Sequence, residues 1–290
     1  METRWLYTTS ENLPLLREAS KETCVIPMGC IEKHGLHLPL GTDIIEASGV
    51  AYAGSQLETV TVFPDFIFGD VPCNSPAMPC GSITLPLEME MDLLEILCEQ
   101  IARHGYKKIL VLNGHGGNGS WLAAFSRKLT NKKRDFVFAT YMLGLPAPHT
   151  LAKYLIENGS GSIPELTKED EELLLGYHEM GMKGGHACMG ETAFMMGLAP
   201  DSVHLDRLGI ESGLSLHKTD YLKEAGIRIM DDGWDINYPN AYSGHDPVGC
   251  NERIGKAALR FEAERFARAV KVLKEDENLW KWHEERQRGW

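Results

Sequence analysis

Lys108-Ile109-Leu110-Val111-Leu112 runs straight into Asn113-Gly114-His115-Gly116-Gly117-Asn118, and this junction constrains the fold more than any other stretch. The first five residues are an apolar run with one charge at its start, which reads as a buried strand. The glycine-rich hexapeptide then turns the chain into a helix predicted from Ser120 to Leu129, and a second strand is predicted over Asp135–Tyr141. Strand–helix–strand alternation of this kind belongs to α/β chains with a mostly parallel sheet covered on both faces.

The rest of the chain fits that frame. Cys24–Met28 and Val60–Phe63 read as further strands, and Asn12–Ala19, Ile44–Ala51, Asp170–Met180 and Glu191–Leu198 as helices. Thr42-Asp43 supplies a cap for the second of these. Leu87–His104 has helical periodicity, with Met91, Leu94, Ile96, Leu97 and Ile101 on the apolar side and Gly105 as its stop. Phe68–Ser82, rich in Gly, Pro, Asn and Ser, reads as a long loop, and loops of that length in compact domains are often functional. Leu145–Glu169 is weakly patterned and reads as an excursion; Asp232–Asp246 is aromatic and turn-rich; Ile254–Lys274 is a long amphipathic closing helix. No repeat or interdomain linker is visible, so residues 1–290 are expected to form one domain.

Composition narrows the partners. With 29 basic and 41 acidic residues the net charge is −12, which repels phosphate backbones and argues against nucleic acid. No apolar run is long enough for a bilayer, and the charged N-terminus has no signal core. The seven cysteines are odd in number and lack CxxC spacing, so a reduced, cytoplasmic setting is expected.

Three clusters carry chemistry. In Glu32-Lys33-His34, residues i and i+2 of an extended segment can point to one side, and Asp43 follows nine residues later; taken alone, ExH is more often a polar surface loop. The second cluster is the hexapeptide around His115, at the carboxyl end of a parallel strand where α/β sheets place ligands. Its glycines let the N–H groups of Gly116 and Gly117 approach a substrate, and the following helix turns its positive end there, although a plain strand–helix turn would look the same. The third is Gly184-Gly185-His186-Ala187-Cys188-Met189-Gly190-Glu191, with small residues, Gly185 among them, crowding a histidine and an acid in a first helical turn. The helix dipole alone would favour that acid.

Together, with His186 set aside, the clusters offer two His, two Glu and one Asp that can meet at one sheet edge. That oxygen-rich set without cysteine suits zinc, manganese or a mixed pair better than a structural zinc site. Cys30 and Cys188 read as small packing residues, His37 as a neighbour of the site, and the remaining histidines as surface or packing groups.

These motifs resemble the creatininase family over roughly Val25 to Gly255. The match is strongest along Ile26–Asp43, with its Pro27-Met28-Gly29-Cys30-Ile31-Glu32-Lys33-His34-Gly35 core, then Asn113–Asn118 and Gly185–Thr192, with a further family-like segment in Cys80–Leu85. The resemblance implies a three-layer α/β/α sandwich and a homo-oligomer, commonly a hexamer. It implies two divalent metal ions, zinc first and manganese as the other choice for one site. Glu32 and His115 would hold one ion, His34 and Glu191 the other, and Asp43 would bridge them. His186 matches the family histidine that passes a proton to the leaving group. Two departures point away from creatinine as the substrate. Creatininase has a glutamate where Gly117 stands, and its aromatic substrate clamp falls on Met182.

The expected activity is hydrolysis, with a hydroxide shared by the two ions attacking the carbonyl of a small cyclic amide or formamide. Gly116, Gly117 and Gly185 are expected at the substrate. A C–C hydrolase opening a cyclic diketo-inositol is the alternative enzyme, with Ser75 and Lys33 suited to a polyol. A non-catalytic small-molecule-binding protein on the same fold is the alternative outside enzymes.

Overall fold

The computed structural model describes residues 1–71, 81–182, 185–229 and 233–289. In these, helices α1 (Leu13–Ala19), α2 (Thr42–Leu57), α3 (Leu87–Arg103), α4 (Asn118–Lys128), α5 (His149–Asn158), α6 (Lys168–Glu179), α7 (Met189–Leu198), α8 (Asp220–Glu224), α9 (Trp234–Asn237), α10 (Glu252–Glu275) and α11 (Leu279–Arg286) surround one sheet. Its strands are β1 (Thr23–Met28), β2 (Thr61–Val62), β3 (Lys108–Asn113) and β4 (Val137–Met142), all parallel, in the order β2-β1-β3-β4. Central β1 and β3 are buried along their whole length, which is why they read as continuous apolar runs rather than alternating ones.

Alternation along those strands divides the core. Cys24, Ile26, Met28, Ile109 and Val111 pack on one face with Leu94, Cys98 and Ile101 of α3 and Trp121 and Phe125 of α4. Val25, Leu110 and Leu112 pack on the other with Ala47, Val50 and Ala51 of α2, Phe194 of α7 and Phe266 and Val270 of α10. The result is a three-layer α/β/α sandwich. Outside the second helical layer, Leu151 and Leu155 of α5 and Leu174 of α6 meet Ile254, Ala257 and Ala258 of α10. Among the described residues no helix is long and apolar enough to cross a membrane.

Several local expectations change. Thr42 opens α2 rather than capping it, and its hydroxyl donates to the Pro39 carbonyl at 2.7 Å. α2 also runs past Ala51 to Leu57, so that it holds Gly54 as well as Gly49, though a mid-helix glycine costs about 0.5–1 kcal/mol relative to alanine. Packing explains it: a Cβ at Gly49 would lie 2.5 Å from Leu198, and one at Gly54 2.7 Å from Phe266. The excursion after Leu145 contains α5, whose Leu151, Ala152 and Leu155 are buried. Ile96, placed on the apolar side of α3, is exposed, because the buried stripe runs through Leu94, Cys98 and Ile101. α6 starts at Lys168, earlier than expected, because Thr167 and Asp170 form a reciprocal capping box.

Two glycines set up the site. A Cβ on Gly29, just after β1, would sit 2.5 Å from the Ile44 nitrogen, and one on Gly114, just after β3, 2.4 Å from the Asp43 carbonyl. Their bare backbones let the first turn of α2 press against the ends of both central strands.

Candidate metal centre

That close approach puts Asp43 between two histidines that leave adjacent strand ends. Asp43 Oδ2 lies 2.9 Å from His115 Nδ1, and Oδ1 lies 3.1 Å from His34 Nε2. Glu32 Oε1 is 2.9 Å from the same His115 nitrogen, while Glu191 Oε2, from the first turn of α7, is 3.7 Å from His34 Nε2. The donors form two groups sharing Asp43: Cys30, Glu32, Asp43 and His115, and His34, Asp43 and Glu191, with ligand atoms within 4.8 Å of one another in each group. All these residues are buried.

Two features match divalent ions. Glu32 Oε1 is buried without a hydrogen-bond partner although it lies 2.9 Å from His115 Nδ1. An isolated buried carboxylate is costly, and a cation between the donors removes that cost. Each imidazole is also held by its other nitrogen to a backbone carbonyl, His115 Nε2 to Asp70 at 2.9 Å and His34 Nδ1 to Glu32 at 3.2 Å, as ligating histidines are.

The asparagines that flank His115 knit this edge together. Asn113 Oδ1 accepts from the His115 N–H at 3.1 Å and from Asn118 Nδ2 at 3.0 Å. Asn118 Oδ1 accepts from the Asp70 N–H at 3.0 Å and from Trp121 Nε1 at 2.9 Å.

Charges in this cluster are strongly coupled. Burial disfavours a charged His34, yet Asp43, Glu191 and Glu32 outweigh it and hold its pKa up at about 9. His115 is pushed well above the usual imidazole range in the same way, against burial, by Glu32 and Asp43. Both rings therefore carry protons that a bound cation would replace. Asp43 is held well below the carboxylate range by the two imidazoles despite its burial. Glu191 moves the other way, to about 7, because burial exceeds the help from His34.

His186 sits over the second group, its ring stacked on His34 with centroids 4.0 Å apart and the edge of Trp234 at 5.3 Å. Its Nε2 is 2.7 Å from the Lys33 carbonyl, an acceptor only, so Nε2 carries the proton and Nδ1 keeps its lone pair. Nδ1 lies 3.6 Å from Glu32 Oε1. Burial and the neighbouring His34 push the His186 pKa down to about 4. Neither Thr192 nor Asp246 bonds to this ring: the Thr192 hydroxyl is 3.3 Å from His37 Nε2, and Asp246 accepts from the Tyr242 hydroxyl at 2.7 Å. His37 is buried and pairs with the Ala187 carbonyl at 2.9 Å, while the Ala187 N–H donates to Glu191. Ala187 itself has φ +59°, a conformation L residues seldom adopt, next to His186.

A cavity of about 700 Å³ opens on the cluster. Glu32, Asp43, His115, His186 and Glu191 reach it, with Gly116, Gly117 and Gly185 also in its lining. Ser75 lies outside the described residues. Asp70, Ser120 and Ser243 add polar groups, and Met142, Leu143, Leu145 and Trp234 add apolar wall. Gly117 has a steric reason to lack a side chain, since a Cβ there would lie 2.5 Å from His115 Nε2.

Sequence reasoning missed Cys30, Asp70 and Trp234. The i, i+2 spacing that singled out Glu32 and His34 extends back to Cys30, so that signal was present. Asp70 lies in an irregular stretch, and Trp234 opens the four-residue α9, too short for a period to mark it. His149 and His178 lie outside the cluster and face each other, Nδ1 to Nδ1, at 2.9 Å.

Known proteins share this architecture. A 190-residue stretch, 63% of this chain, is 22% identical to 67% of the creatinine amidohydrolase of Pseudomonas putida. A shorter stretch of 113 residues, 38% of this chain, is 27% identical to 36% of the 3-dehydro-scyllo-inosose hydrolase of Thermotoga maritima. Among solved structures, a Type II mutant creatininase superposes with a TM-score of 0.69 at 16% identity, over 95% of this chain and 100% of that one. A Zn-Zn type and a manganese form of creatininase have the same fold, each with a TM-score of 0.66. The model of the creatininase family, described as creatinine amidohydrolase, matches residues 8–270, and the chain belongs to that family.

Proposed function

We propose that this chain is a dinuclear metal-dependent hydrolase that cleaves a C–N bond in a small cyclic amide or formamide. One observation carries the reading: Asp43 presents one carboxylate oxygen to each of two histidines, and each histidine has a further carboxylate beside it. Glu32 and His115 would hold one ion, His34 and Glu191 the other, and Asp43 would span them. Zinc fits both halves, and manganese fits the half made only of nitrogen and oxygen donors. Bound there, two such ions supply an activated water at neutral pH and polarise a carbonyl.

The chain's own groups would do the rest. With Nε2–H tied to Lys33, the His186 lone pair on Nδ1 accepts a proton near Glu32 and returns it to the leaving nitrogen. Burial disfavours its charged form and so favours a neutral ring able to accept that proton. Gly116 and Gly117 precede α4, where a helix leaves N–H groups unpaired, and those groups would face a developing oxyanion.

A C–C hydrolase acting on a cyclic diketo-inositol is the second reading. It is favoured by Asp70, Ser120 and Ser243 in the cavity lining, which suit ring hydroxyls. A hydrolysis panel of cyclic amides, formamides and diketo-inositols, run on protein of measured metal content, separates the two. His186→Ala should retain its ions and lose turnover by ~100- to 10,000-fold. Activity surviving that change would remove His186 from proton transfer.

A further inference from the structure

We propose that the Cys30 sulfur is a fourth protein donor to the ion held by Glu32, Asp43 and His115, making this half of the centre a zinc site. The inference rests on the dinuclear reading above and adds a ligand that the motif comparison does not supply. Cys30 leaves β1 directly behind Gly29, whose N–H is fixed to the Phe66 carbonyl at 3.1 Å. Its Sγ lies 2.9 Å from Asp43 Oδ2 and within 4.8 Å of the Glu32 and His115 donors. The side chain is 0% exposed, so water does not compete for the sulfur, and its apolar neighbours are Val71 and Ala241. A second observation points to the same spot, namely the buried Glu32 Oε1 that lacks a hydrogen-bond partner.

One sulfur, one imidazole nitrogen and two carboxylate oxygens form a mixed donor set that zinc accepts, and the five-coordinate geometry open to catalytic zinc would leave a position for the activated water. Thiolate is soft and favours zinc over manganese or magnesium. The His34 half holds only nitrogen and oxygen donors, so the two sites would differ in metal preference. On coordination the S–H bond breaks, the sulfur–metal bond forms, and the proton leaves to the solvent.

The test uses the full chain loaded with cobalt(II), with metal content and near-ultraviolet absorption read on the same sample. A sulfur-to-cobalt charge-transfer band is expected. It should vanish in Cys30→Ser while cobalt stays bound, and persist in Cys188→Ser, since Cys188 instead accepts from the Gly185 N–H at 3.0 Å. Bound cobalt without the band, or a band that survives Cys30→Ser, would show a thiol that only donates to Asp43 and overturn the proposal. A chain that binds no cobalt would instead overturn the dinuclear reading itself. Should Cys30→Ser fail to fold, zinc-edge X-ray absorption of the unmutated protein decides: one zinc–sulfur distance of about 2.3 Å is expected, and a shell of nitrogen and oxygen alone refutes it.

Discussion

The two halves of the donor cluster share Asp43 but are built differently. His115 is 8% exposed and lines the cavity, whereas His34 is 0% exposed and lies under the ring of His186. The His115 half is steadied by the backbone of Asp70 and includes Cys30; the His34 half is steadied by Glu32 and draws its second carboxylate from a distant helix. On the proposed reading, substrate meets the His115 half while the His34 half lies beneath the proton carrier. Binding and proton transfer would then fall to different ends of the cluster, the His115 half and the His186 ring stacked over His34.

Asp43→Ala should give the largest effect, because it belongs to both halves. Both metal equivalents and all turnover should disappear together in metal analysis and assay; retention of one equivalent would mean that the halves do not share it. His115→Ala and Glu191→Ala should each remove one equivalent and leave the other. If either removes both, the halves are not separable. Gly117→Ala should disturb only the His115 half, since its Cβ would lie 2.5 Å from that ring. A roughly 10- to 100-fold loss of metal affinity there is expected, the range for groups supporting a ligand. Gly116→Ala, with nothing within 4 Å, should leave metal affinity unchanged and serves as the matched control for that measurement.

The smallest effect is on stability against pH. In chelated protein, His34 titrates at about 9 against an ordinary 6.5. A raised folded-state value adds stability that is complete below the ordinary value and lost as pH rises through the folded one. The melting temperature of chelated protein should therefore fall between pH 6.5 and about 9, and loading with zinc should flatten that slope because the ion takes the proton's place. An unchanged slope would detach His34 from the ion site.

Local sequence determined a good deal here. β1 and β3 were legible because central parallel strands are buried on both faces and so read as unbroken apolar runs. The candidate donors stood out mainly through the family resemblance, because ExH alone reads as a surface loop and the His115 turn as a plain strand–helix junction. Only the tertiary structure decided the rest. That His186 is held by the Lys33 carbonyl and His115 by the Asp70 carbonyl leaves no trace in residue types, since every residue carries the same backbone oxygen. Local sequence ends α2 at Ala51; that it runs on through Gly54 to Leu57 shows only once Phe266 is found filling the space beside that glycine. Cys30 reads as packing until Asp43 and His115 are brought against it, because a sulfur's role is set by its neighbours in space and not along the chain.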